Sequence, residues 1–153
     1  MNTIVLLLLL GNLLTVTAPQ SVAAPMVDGV LAQMVHDETT FVYAHSNLAG
    51  TLFYDLRDGD VVIAIYSDGS LREFEVVQIG AYAAQSTEIA KGGGNFDLRV
   101  NYQWIPITGV MTMYSIPGRI TLSTCFADNK GFGIVTGRLF ISLAPVDAGD
   151  FPE

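Results

Sequence analysis

Between residues 61 and 79 the chain reads Val61-Val62-Ile63-Ala64-Ile65-Tyr66, then Ser67-Asp68-Gly69-Ser70, then Leu71-Arg72-Glu73-Phe74-Glu75-Val76-Val77-Gln78-Ile79. Two runs rich in β-branched and aromatic residues, joined by Asp-Gly, confine this stretch to a β-hairpin. Such side chains fit a pleated surface, and Asp-Gly supplies the positive φ that a tight turn needs. In the second run Phe74 and Val76, then Val77 and Ile79, stand against polar neighbours, so the period is two with an irregularity at Val76-Val77. Phe41–Tyr43 and Ile120–Cys125 are further strand-like runs, and Gly137–Ser142 opens another; Arg57-Asp58-Gly59-Asp60 is a second turn. Leu31–His36 reads as one helical turn or a loop. Residues 81–119 form a long excursion holding the only tryptophan, Trp104, with Tyr102, Ile105, Ile107, Val110, Met111, Met113 and Tyr114. Ala90–Asn95, with Gly92-Gly93-Gly94, is a connection and not a phosphate loop, because no Lys-Ser/Thr follows the glycines. These elements predict an all-β fold, a closed barrel with short helical insertions.

At 153 residues the chain has room for one domain with a proper core. Seven basic side chains against fifteen acidic ones give a net charge of −8. Nucleic acid is therefore not an expected partner, since backbone phosphates require clustered Lys and Arg. The two lysines, Lys91 and Lys130, lie far apart. No oxygen-ligand spacing like that of an EF-hand appears, so no metal and no cofactor is assigned.

The first charged side chain is Asp28. Ahead of it, Thr3–Ala18 is almost wholly apolar, Leu6–Leu10 is unbroken, and Pro19 ends the run. The length suits the hydrophobic region of a secretory signal and is short for a bilayer span of about 20 residues. Ser21-Val22-Ala23 offers a small-x-small cleavage pattern, while no Lys or Arg precedes the run. A cleaved signal and a short uncleaved membrane anchor (residues 3–18) both fit; a buried strand or helix is the remaining reading. Residues 1–20 are thus set apart as an export segment, 21–146 as the barrel and 147–153 as a tail. Either export reading puts the barrel outside the cytoplasm, where an unpaired cysteine is unusual.

That cysteine, Cys125, ends the run Ile120-Thr121-Leu122-Ser123-Thr124-Cys125 and is the only one in the chain. It cannot form an intramolecular disulfide, which leaves a packed core thiol or a nucleophile. A nucleophilic thiol needs a base and a cation beside it, because an unassisted one ionises only near pH ~8.5. Of the two histidines, His45 ends the strand-like run Phe41-Val42-Tyr43-Ala44, and His36 lies in the turn-like Val35-His36-Asp37-Glu38-Thr39. Arg138 opens the strand after the cysteine, in Gly137-Arg138-Leu139-Phe140-Ile141-Ser142. Cys125, His45 and Arg138, at three strand ends, can converge on one sheet rim. For Arg138 the structural alternative is a rim salt bridge with Asp60 or Asp128.

Thr121-Leu122-Ser123-Thr124-Cys125 resembles the TLxTC motif of sortases, the cysteine transpeptidases of bacterial cell envelopes. Ala44-His45-Ser46, followed by Gly50, Phe53, Leu56 and Gly59-Asp60-Val61-Val62, resembles the family's histidine segment. Asp68-Gly69 with Phe74-Glu75-Val76 resembles its hairpin, and Gly137-Arg138-Leu139-Phe140-Ile141 the strand bearing its arginine. Val22–Val30 loosely resembles its first strand. The likeness runs in the family's order over roughly residues 14–145. Only fifteen residues separate Gly29 from His45, where sortases carry a longer stretch with a helix.

The resemblance implies a closed barrel of about eight strands. It makes His45, Cys125 and Arg138 catalytic, Thr124 a substrate-binding residue, and His36 a bystander. It implies a sorting-signal peptide as substrate and an amine as acceptor, from a cell-wall peptide or a pilin-like lysine, at the bacterial cell surface. The excursion at 81–119 would help wall the substrate groove. Two alternatives stay open: a hydrolytic cysteine peptidase of the same fold, and a non-catalytic β-barrel that binds envelope peptides.

Overall fold

The computed structural model describes residues 7–10, 15–16, 32–36, 38–44, 46, 49–66, 70–86, 96–127 and 135–146. Ten strands follow in chain order: β1 (Leu7–Leu10), β2 (Thr15–Val16), β3 (Ala32–His36), β4 (Thr39–Ala44), β5 (Val61–Tyr66), β6 (Leu71–Ser86), β7 (Phe96–Val100), β8 (Gln103–Pro106), β9 (Ile120–Ala127) and β10 (Val135–Pro145). A 3₁₀ helix (Ala49–Asp55) lies between β4 and β5, and α1 (Ile107–Tyr114) between β8 and β9. The sheet order is β1-β5-β6-β10-β9-β4-β3-β2, with β7 and β8 hung on the far end of β6. The sheet is mixed and curled, a half-barrel carrying short helices. Among the described residues no pairing joins β1 to β2, so the path expected to close is seen here as open.

The predicted hairpin forms: β5 and β6 pair antiparallel, with Ile65 opposite Leu71 and Val61 opposite Glu75. Its turn at 67–69 lies outside the described residues, as do the segments 22–30, 87–95 and 147–153. The irregularity at Val76-Val77 is a β-bulge. Ser142 of β10 faces Gln78 and Leu143 faces Val76, which leaves Val77 as the extra residue. The turn at 57–60 also forms, with Gly59 at φ +81° and the Asp60 Oδ2 accepting from the Arg57 N–H at 2.7 Å.

Three stretches differ from expectation. Ala32–His36 is a strand, antiparallel to β4, because pairing with Thr39–Tyr43 satisfies a backbone whose local sequence expresses no strong preference. The excursion at 81–119 is mostly regular: β6 runs on to Ser86, β7 and β8 form a hairpin, and α1 follows. The apolar positions of α1, Ile107, Val110, Met111 and Tyr114, recur at i, i+3, i+4 and i+7 and are all buried. Finally, parts of the N-terminal apolar run, expected to lie apart from the barrel, pair with its outer strands: β1 with β5 and β2 with β3, both parallel. An uncharged run of leucines suits an edge strand as readily as an export segment, since either removes the same apolar surface from water.

Strand alternation sorts the core into two layers. One holds Val42, Ala44, Val62, Ala64, Phe74, Val76, Leu122, Leu139 and Ile141, closed off by Phe53 and Leu56 around the 3₁₀ helix. The other, on the opposite face, holds Phe41, Tyr43 and Phe140 beneath Leu98 of β7 and the four buried residues of α1. Gly80, opposite Phe140, admits the second layer: a Cβ there would sit 1.9 Å from the Tyr114 hydroxyl. The Tyr114 ring stacks on Phe140 at 5.1 Å, and its hydroxyl shares a 2.9 Å hydrogen bond with Tyr82.

Candidate active site

Two pairings build the site. In the antiparallel ladder of β9 and β10, Cys125 faces Arg138 and Ser123 faces Phe140. In the parallel ladder of β4 and β9, Tyr43 faces Ser123 and Ala44 faces Thr124. Because side chains alternate along a strand, Ser123 and Cys125 share a face with Arg138, Phe140 and Tyr43. It is the face that α1 covers farther along.

Cys125 is half-buried and free. Arg138 is 4% exposed, which makes it a guanidinium largely withdrawn from water. Its Nη1 donates to Cys125 Sγ at 3.4 Å and its Nε to Ser123 Oγ at 3.1 Å. Its Cζ lies 5.2 Å from the centroid of the Tyr43 ring, within cation–π range. Among the described residues no carboxylate pairs with it. Asp60, one of the two acids expected to do so, spends a carboxylate oxygen on the Arg57 N–H, and Asp128 lies outside the described residues. Burial pushes the Tyr43 phenol up to about 12, against a smaller opposing pull from Arg138.

His45 lies outside the described residues, but both its neighbours are described. Thr124 Oγ1 donates to the Ala44 carbonyl at 2.8 Å, and the Ser46 side chain hydrogen-bonds with the Tyr54 hydroxyl. That hydroxyl in turn donates to the Cys125 carbonyl at 2.5 Å, while the Tyr54 ring stacks on Phe126 at 5.4 Å. Burial raises the Tyr54 phenol above the ordinary tyrosine range; hydrogen bonds with Thr124 and Ser46 pull it back, and Cys125 pushes it further up. Thr124 itself is 1% exposed and sits on the face opposite Cys125, its hydroxyl committed to β4. His36 faces Thr39 at the other end of β4, five residues or about 16 Å along the strand from Ala44.

Cys125 and Arg138 are thus brought into contact, Thr124 braces the end of β4, and His36 is set at the far end of the sheet. Ser123, Tyr43 and Tyr54 were not singled out from sequence. Ser123 and Tyr43 each lie two residues before a proposed catalytic residue, the same-face spacing of a strand. Tyr54 carries no such signal, because a 3₁₀ helix delivers it. The described residues contain no cluster of His, Cys, Asp and Glu able to hold a metal, and no helix long and apolar enough to cross a membrane.

The chemistry available here is that of a half-buried thiol with a buried cation against its sulfur, a cation that has no carboxylate partner among the described residues. Such a cation stabilises negative charge on sulfur or on an oxygen held next to it. No family model matches the chain, and no curated protein matches it. Solved structures do. Sortase C of Clostridium perfringens SM101 is similar at 17% identity and a TM-score of 0.42, over 77% of this chain and 55% of that one. Clostridium perfringens sortase C with the C-terminal cell wall sorting motif is similar at 20% identity and a TM-score of 0.41, over 76% and 56%. This chain therefore spans a little over half the length of those proteins. At such values the likeness concerns the course of the chain, and the chemistry has to be read from the residues.

Proposed function

We propose that this chain is a sortase-like cysteine transpeptidase in which Cys125 is the nucleophile, His45 the acid–base and Arg138 the electrophilic stabiliser. The observation that carries the reading is the 3.4 Å contact between Cys125 Sγ and a buried guanidinium with no carboxylate partner among the described residues. A packed core thiol has no use for it. Burying a charge without a counter-ion costs several kcal/mol, about 3 or more, and such a cost persists where the charge has work to do.

The choice of His45 as the base is supported by its neighbours: Ala44 and Ser46 are tied to Thr124 and to Tyr54, and Tyr54 holds Cys125. The Cys125 thiolate attacks the carbonyl carbon of a peptide bond, and Arg138 donates to the oxyanion. His45 gives its proton to the departing amine as the tetrahedral adduct collapses to a thioester. An incoming amine loses a proton to His45, attacks the thioester and regenerates Cys125. Thr124 serves the substrate by holding the groove floor between β9 and β4.

The substrate in this reading is a sorting-signal peptide, the acceptor a cell-wall or pilin-like amine, and the place the bacterial cell surface. The curled sheet would close into a barrel of about eight strands over residues 21–146. Residues 1–20 would act in export and 147–153 as a tail. Cleavage near Ala23 would free the edges of β3 and β5 that β1 and β2 cover, and N-terminal sequencing of the mature protein checks it. The direct test is mass spectrometry of the protein incubated with a small library of sorting-type peptides, with and without an amine. A thioester on Cys125 resolved by the amine supports transpeptidation. Resolution by water alone makes the protein a hydrolytic peptidase, and absence of any acyl adduct leaves a peptide-binding barrel.

A further inference from the structure

We infer that Ser123 and Tyr43 are positioning residues that aim the Arg138 guanidinium at the cysteine; this rests on the transpeptidase reading for its purpose, though not for its geometry. An arginine side chain reaching across one strand has several rotatable bonds, and proximity alone does not decide which of its donors meets the sulfur. Here two restraints decide it. Ser123, with no exposed surface, offers Oγ to Nε at 3.1 Å and so fixes the inner edge of the fork. The Tyr43 ring, 3% exposed, lies 5.2 Å from Cζ and restricts movement of the guanidinium off the sheet. With Nε held and one face covered, the outer edge is left to point along β9 toward residue 125, where Nη1 finds Sγ at 3.4 Å.

The ladders explain why these two residues do it. Tyr43, Ser123 and Phe140 face one another across β4, β9 and β10, one pleat behind Cys125 and Arg138. Tyr43 is itself pinned, its hydroxyl donating to Met111 Sδ of α1 at 3.6 Å. Reagent charge should report the aim directly. An anionic alkylating agent is drawn to a sulfur with a cation beside it, and a neutral one is not.

The test compares alkylation of Cys125 by iodoacetate and by iodoacetamide, without any peptide, in the wild type and in Ser123→Ala, Tyr43→Leu and Tyr43→Phe, with Arg138→Met as the reference lacking the cation. The iodoacetate-to-iodoacetamide rate ratio should fall about fivefold or more in Ser123→Ala and Tyr43→Leu, since a displacement of a few ångströms weakens the attraction by that order. Tyr43→Phe, which keeps the ring, should restore most of the ratio that Tyr43→Leu loses. A merely structural role would lower the melting temperature and leave the ratio unchanged. Such an outcome in folded Ser123→Ala or Tyr43→Leu overturns the inference, and should Ser123→Ala fail to fold, the Tyr43 pair decides alone. If the ratio falls as expected while no peptide ever acylates the wild type, the positioning stands and the transpeptidase reading is the part that fails. If peptides acylate the wild type and the ratio does not move, the reverse holds.

Discussion

Replacing Arg138 by methionine should stabilise the fold while destroying the site. The guanidinium is 4% exposed and its described partners are a serine hydroxyl, a sulfur and a phenol ring. Withdrawing such an ion from water costs several kcal/mol even after local relaxation, about 5 as a working figure. A hydrogen bond from a charged donor to Ser123 returns about 1.5–3 kcal/mol. The ring contact adds about 1–2 kcal/mol, and sulfur, a weak acceptor, adds little. The balance falls short by up to about 2.5 kcal/mol, which a methionine of similar reach removes. For a chain of 153 residues that corresponds to a rise of up to about 10 °C in melting temperature. The same substitution removes the proposed donor to the oxyanion and should slow acylation of Cys125 about 10²–10³-fold. Calorimetry and the rate of thioester formation, measured on one preparation, give both numbers. A melting temperature that falls by several degrees would refute the reasoning, since it would show the cation holding the sheet together rather than being carried at its expense.

Further expectations follow from particular contacts. Cys125→Ala should abolish acyl-enzyme formation and change unfolding free energy by no more than about 1 kcal/mol, because a half-buried thiol contributes little packing. Turnover of a cleaved peptide should survive His36→Ala and be lost, by orders of magnitude, in His45→Ala; the opposite result would place the base at the wrong end of β4. Gly80→Ala should destabilise by about 1–3 kcal/mol in denaturant titration, as the new methyl collides with the Tyr114 hydroxyl. Stability should also drop in alkali. Tyr43 ionises near pH ~10 when unfolded and at about 12 when folded, so the native state holds the extra proton between those values. Its contribution is complete below pH ~10 and disappears as the pH rises toward 12, at about 1.4 kcal/mol per unit. Tyr43→Phe should flatten that part of the stability–pH curve.

The amino-acid sequence by itself determined the local parts of this protein. The β5–β6 hairpin, the turn at Gly59, the bulge at Val77 and the strands that carry Cys125 and Arg138 could all be read from it, although β9 runs on to Ala127 and β10 already begins at Val135. In each, neighbouring residues suffice: a β-branched run extends the backbone, and Asp-Gly or a broken alternation marks where it bends. The Cys125–Arg138 contact was nearly as legible, since sequential strands joined by a short connection pair antiparallel and bring such positions face to face. What only the tertiary structure decided is everything that depends on a partner distant in the chain. Ala32–His36 is a strand because β4 lies beside it, and part of the leucine run joins β5 although nothing in its composition names that neighbour. The parallel pairing of β4 with β9 joins residues 80 positions apart, and with it come Tyr43 and the neighbours of His45. Ser123 became a site residue only when Arg138 reached back across one strand to find it. A pattern of alternation tells which residues share a face; the free energy that selects which faces meet is spread over the whole core, and no short stretch of sequence contains it.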